Sequence, residues 1–243
     1  EMALVHELSH ALADQHFRLE KFLEKAAGSD DGSLARMAVM EGQATWIMSE
    51  FMARRSGQSL RDSDSMIEMM VNMASSGGSG FPVFEKAPLY MRESLVFPYG
   101  QGMRFQHKII RALGQQAFSE VFRRAPETTQ EILHPELYLE RRQGVRTLPR
   151  NPELPVLPQP KSWKRLTDGT SGEFDHYIWL KQYDEANKEL AASWRGGFYA
   201  LWKRKSDKRV ALAYASQWES ADAAQRFFRS YRKVLEEIGR AHV

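Results

Sequence analysis

Cysteine is absent from the sequence. That excludes disulfides, thiolate metal ligands and a cysteine nucleophile together. Any metal must then be held by histidine and carboxylate donors. No run of about 18 apolar residues occurs, so this segment is expected to contain no membrane-spanning helix. An excess of one charge is lacking too: 34 Lys and Arg stand against 31 Asp and Glu, and the basic residues are scattered among the acidic ones. Nucleic acid is therefore not an expected partner. There is no internal repeat. What remains is a globular balance, 42% hydrophobic and 27% charged over 243 residues, long enough for one large domain or two modest ones.

Helical spacing runs from about Met2 to Lys25, with Ala3, His6, His10, Ala13 and Phe17 on one face. Gly28 to Gly32 break it. A second helix is expected from about Ser33 to Arg55, where Met37, Ala44, Met48 and Phe51 form a stripe that includes Glu41. A third, about Asp64 to Ala74, gathers Met66, Met69, Met70 and Met73, read as core filler. Ser75 to Gly80 reads as a flexible connector. Pro98-Tyr99-Gly100 is expected to lead into a helix from Gln101 to Leu113, followed by helical character at Phe118 to Arg124. Pro149, Pro152, Pro155, Pro158 and Pro160 hold residues 148–162 extended as a linker. Beyond them, Gly172 to Ser193 reads as helix, Phe198 to Lys203 and Arg209 to Ser216 as a hairpin, and Ser220 to Ile238 as helix. The expected architecture is mainly α: a helical domain over 1–147 and a small α+β module of helix, hairpin and helix over 163–243.

His6-Glu7-Leu8-Ser9-His10 is an H-E-x-x-H pentapeptide. Four residues make one helical turn, so both imidazoles project toward a single point and form two metal ligands. Glu7 lies about 100° round the helix, beside the metal, where its carboxylate can take a proton from water. Zinc brings the pKa of such water to about 7. A third ligand is required. Glu41 sits in an apolar stripe, where a lone carboxylate would be costly, and buried charges persist when paired or bound to metal. The alternative is a salt bridge from Glu41 to Arg36 or Arg54. Gly42 beside it would let two helices approach closely.

These residues resemble the gluzincin branch of zinc peptidases. The stretch His6 to Phe17, reading H-E-L-S-H-A-L-A-D-Q-H-F, and Met40-Glu41-Gly42-Gln43-Ala44-Thr45 carry the likeness. They are most similar to a set of often exported bacterial and archaeal proteins that also share a segment like Gln130 to Tyr138 and a Trp- and Gly-containing strand like Ser193 to Gly197. The resemblance implies a zinc cofactor on His6, His10 and Glu41, Glu7 as general base, a peptide or protein substrate and an extracytoplasmic location. Thermolysin-like gluzincins place an aspartate four residues after the ligand glutamate; here that position is Thr45, so Thr45 or Asp14 would orient the ligands. A donor for the developing oxyanion is also needed, with Tyr99 the first choice and His134 and His107 next. His16 reads as structural. In gluzincins a sheet precedes the zinc helix, so the sequence is expected to be a fragment that pairs with itself or with the missing portion as a separate chain. The basic turn Lys203 to Arg209 reads as a solvated cap on two strands, with phosphate contact as its alternative.

Overall fold

The computed structural model describes residues 1–76 and 81–240. It is mainly helical, with one small antiparallel sheet near the C-terminus. The chain divides into two compact units, Glu1–Thr147 and Leu148–Val243. Among the described residues no helix is long and apolar enough to cross a membrane.

The first unit is helical throughout. The expected opening helix is in fact two, α1 (Met2–Phe17) and α2 (Leu19–Glu24), separated by Arg18 in the left-handed region at φ 53. Asp14 makes the break: its backbone carbonyl accepts from Arg18 N and its side chain accepts from Leu19 N at 2.8 Å, so helical hydrogen bonding is replaced rather than lost. α3 (Asp30–Arg55) begins where Ser29 caps Gly32 N at 2.9 Å, with Asp30 and Asp31 in its first turn and Arg54 and Arg55 in its last. Cap and charges both suit the helix dipole. Its buried side is formed by Ala35, Ala38, Val39, Gly42, Ala44 and Trp46; of the expected stripe Ala44 is buried and Met48 half-buried, whereas Met37 and Phe51 are exposed.

α4 (Asp64–Ser76) inserts Ile67 and Val71 into the core and leaves Met69 and Met73 exposed. Those methionines are therefore not core filler; β-branched residues of better-defined shape fill the core. Residues 77–80 of the expected connector lie outside the described residues, and Ser75 and Ser76 belong to α4. After the short α5 (Pro82–Lys86), α6 runs unbroken over Leu89–Leu113 with Pro98 in its interior. Proline removes one helical hydrogen bond, yet α6 makes the most extensive interface in this unit, against α3, and Phe97, Gly100, Gly102 and Met103 are all buried. Packing outweighs the local cost. The two helices meet backbone to backbone: a Cβ on Gly42 would lie 2.1 Å from the Gly102 carbonyl carbon, and one on Gly102 would lie 2.1 Å from the Ala38 oxygen. α7 (Ala117–Arg123), α8 (Thr129–Leu133) and α9 (Pro135–Arg142) close the unit.

The second unit holds β1 (Trp163–Thr170), α10 (Glu173–Gln182), α11 (Lys188–Ala192), β2 (Trp194–Arg204), β3 (Val210–Trp218) and α12 (Ala221–Arg240). The sheet is antiparallel in the order β1-β2-β3, so the expected hairpin has a third strand. The single helix expected over Gly172 to Ser193 is two. Leu180, Leu190, Trp194, Trp218, Ala223 and Phe227 form the core. His176 is wholly buried there, its Nδ1 2.6 Å from Gly172 O and its Nε2 paired with the Tyr214 hydroxyl.

Candidate metal centre

α1 lies against α3, and this packing brings the side chains of His6, His10 and Glu41 together. The His6 and His10 Nε2 atoms are 3.0 Å apart. Glu41 Oε2 is 3.2 Å from His6 Nε2 and 3.4 Å from His10 Nε2. Each side chain is only 15–20% exposed. An imidazole nitrogen has either one in-plane proton or one lone pair, so it can satisfy one partner. Here each of three atoms faces two others, an arrangement that pairwise hydrogen bonds cannot complete. Donors about 2.1 Å from a tetrahedral zinc ion stand about 3.4 Å apart, close to the three separations seen. The donor set, two imidazoles and one carboxylate, fits zinc.

The alternative partners of Glu41 are engaged elsewhere. Arg36 is buried and reaches Glu127 at 2.8 Å and Phe22 O at 3.2 Å. Arg54 pairs with Glu50 at 2.7 Å. Burial pushes the Glu41 carboxyl up, but the hydrogen bonds and charges of His10 and His6 prevail and hold it below its ordinary value. The hydrogen bond to Glu41 raises the His10 pKa against the opposing effect of burial, with the charges of Glu41 and Glu7 contributing. Electrostatics thus favours an anionic carboxylate at Glu41.

A cleft of about 730 Å³ opens beside this group. His6, Glu7, Thr45 and Tyr99 line it together with Met48, Phe84, Leu95 and Val96. Glu7 is exposed next to the donors, free to reach a molecule in the cleft. Tyr99 stacks near His6, with ring centroids 6.4 Å apart. Burial, then the charge and hydrogen bond of Glu41, raise its phenol pKa, so it stays a proton donor. Tyr99 does not precede a helix as expected but lies in the middle of α6. Leu95 and Val96 were not anticipated as lining residues because the helix was expected to begin after Pro98, and Phe84 lies on α5, a helix not expected from the sequence.

Other candidates lie elsewhere. His107 is completely buried; Trp46 Nε1 donates to its Nδ1 at 3.4 Å, and its Nε2 meets Asp64 Oδ1 at 2.8 Å, pinning α3, α6 and α4 together. His134 sits between α8 and α9 with Glu136 at 3.7 Å, and is not among the residues lining the cleft. His16 is exposed at the end of α1. Of the two residues expected to orient the ligands, Asp14 is occupied by Leu19 N, while Thr45 Oγ1 is buried without a hydrogen-bond partner at the cleft wall.

Residues 161–243, about one third of the chain, match a family model described as a domain of unknown function, DUF8575. No curated protein and no solved structure matches the chain.

Proposed function

We propose that the chain is a zinc-dependent hydrolase, of the kind that cleaves peptide bonds. The observation that carries this reading is the convergence of His6 Nε2, His10 Nε2 and Glu41 Oε2 on one point, with the Glu7 side chain at the mouth of the adjoining cleft. His6, His10 and Glu41 would hold the metal. Zinc supplies Lewis-acid polarisation of a carbonyl and brings water ionisation close to neutral pH.

The chain's own residues supply the rest. Glu7 accepts a proton from the attacking water and returns it to the leaving amine, a role within reach of an exposed carboxylate beside the donors. Tyr99, protonated at neutral pH, donates to the oxygen that gains charge as the carbonyl becomes tetrahedral. Met48, Phe84, Leu95 and Val96 give the cleft an apolar lining on which the apolar part of a substrate can rest. Hydrolysis of a peptide library with and without a chelator tests the reading. Chelator-sensitive cleavage that disappears in Glu7→Gln supports it; zinc binding without cleavage of any member would leave a binding protein that keeps a metal, the alternative.

A further inference from the structure

Charge is unevenly divided along the chain. Residues 1–147 carry 17 Lys and Arg against 19 Asp and Glu, whereas residues 148–243 carry 17 against 12. The excess gathers at one end of the sheet. Pairing of β1 with β2 sets Trp163 opposite Arg204, Lys164 opposite Lys203 and Arg165 opposite Trp202. Lys161 precedes β1, and the β2–β3 turn adds Lys205, Lys208 and Arg209. Eight cations thus stand with two acids, Asp168 and Asp207. Asp207 is shared by Arg204 and Arg209 at 3.2 Å each, and Asp168 lies 3.5 Å from Arg165. Lys164 and Lys203 face each other directly, a cross-strand arrangement that costs stability. The turn alone explains a solvated cap; the unforeseen strand β1 turns it into a basic surface.

Apolar side chains stand among these cations. Leu166 is 48% exposed, and Val210 and Leu212 are each 56% exposed. Strand alternation puts Val210 and Leu212 on the face of Lys164 and Lys203, whereas Trp163 and Trp202, half-buried with the Arg204 and Arg165 guanidinium groups 5.3 and 4.8 Å from their ring centroids, lie on the opposite face. We propose that this end of the sheet docks on the surface of an anionic lipid bilayer. Lys164, Lys203 and the turn lysines meet headgroup phosphates, and Val210 and Leu212 on the face of Lys203 enter the boundary beneath. A single-stranded nucleic acid on this face would engage the cations, find no indole to stack on and leave Val210 and Leu212 in water, so the aliphatic residues decide the choice. Docking needs no spanning helix. The whole surface lies within residues 161–243, the segment that matches the domain of unknown function.

The test is co-sedimentation of the full chain with phosphatidylcholine vesicles with and without phosphatidylglycerol, at low and high salt. Binding is expected to the anionic vesicles alone and to weaken with salt. The exposed triple substitution Lys164→Gln, Lys205→Gln, Lys208→Gln is expected to lower partitioning about 100-fold, at about fivefold per cation. Val210→Ser with Leu212→Ser should also weaken binding, leaving the salt dependence in place. Circular dichroism identical to the wild type shows that the variants are folded. No binding to anionic vesicles, equal binding to neutral ones, an unaffected triple variant, or a single-stranded oligonucleotide that displaces the protein at equal phosphate would each overturn the proposal.

Discussion

Gly42→Ala is expected to loosen the helical unit and the metal site together. The added Cβ would stand 2.1, 2.4 and 2.5 Å from the carbonyl carbon, oxygen and Cα of Gly102. These are backbone atoms of a helix, so no side chain can rotate away. Ordinary contact needs about 3.5 Å, and α3 and α6 must therefore part by about 1.4 Å. Overpacking of this kind costs about 1–3 kcal/mol, and rigid backbone places it near the upper end. Alanine restores about 1 kcal/mol of helix propensity, leaving a net loss of about 2 kcal/mol. For a unit of this size that lowers Tm by about 4–8 °C. Glu41 is the next residue, and a shift of that order would break its 3.2 and 3.4 Å approach to the histidines, weakening zinc binding more than stability alone accounts for. Thermal melts and zinc titrations of Gly42→Ala beside Gly28→Ala, whose Cβ would meet nothing within 4 Å, provide the comparison. Equal melting temperature and equal zinc affinity in the two variants would refute the reasoning.

Three further outcomes concern the cleft and the second unit. Glu7→Gln should retain zinc while losing about 100- to 10,000-fold in rate, because proton transfer goes and the ligands stay; single-turnover hydrolysis of a fluorogenic peptide measures it, and an unchanged rate would remove Glu7 from the mechanism. Tyr99→Phe should reduce kcat by about 100-fold or more while leaving zinc content intact; a change confined to KM would assign Tyr99 to binding only. Burial lowers the His176 pKa to about 4 from its ordinary 6.5, so the unfolded state binds the extra proton between those values. Residues 148–243 should therefore be at full stability above about pH 6.5 and lose about 3 kcal/mol as pH falls to 4. Tryptophan fluorescence follows this unit, which holds Trp163, Trp179, Trp194, Trp202 and Trp218; a denaturation midpoint that does not move between pH 7 and 4.5 would contradict it.

Strong local patterns were legible in the sequence, and features decided by distant packing were not. The spacing of His6 and His10 is a property of one helical turn, so their common direction could be read directly. Glu41 stood out because a carboxylate on the inward side of a helix needs a partner; the stripe that suggested this is only partly buried, yet His6 and His10 stand beside Glu41. Helix ends were read less well. Arg18 leaves the helical region because Asp14 caps the next turn, a bond that no periodicity announces. Pro98 reads as a helix start although it lies inside α6; the close contact with α3 that keeps the helix continuous is a tertiary effect. β1 escapes a reading by pattern because Trp-Lys-Arg-Leu-Thr-Asp-Gly-Thr is largely exposed at the sheet edge and so lacks hydrophobic alternation. The methionine cluster misled because composition does not say which face of α4 turns inward.

The most direct test of the account is the zinc content of the purified chain after equilibrium dialysis, measured by atomic emission for the wild type and for His6→Ala, His10→Ala and Glu41→Ala. One zinc per wild-type chain, lost or greatly weakened in all three variants, is the expected result. A wild-type chain that takes up no zinc would contradict the metal centre, and full occupancy in Glu41→Ala would remove Glu41 from it.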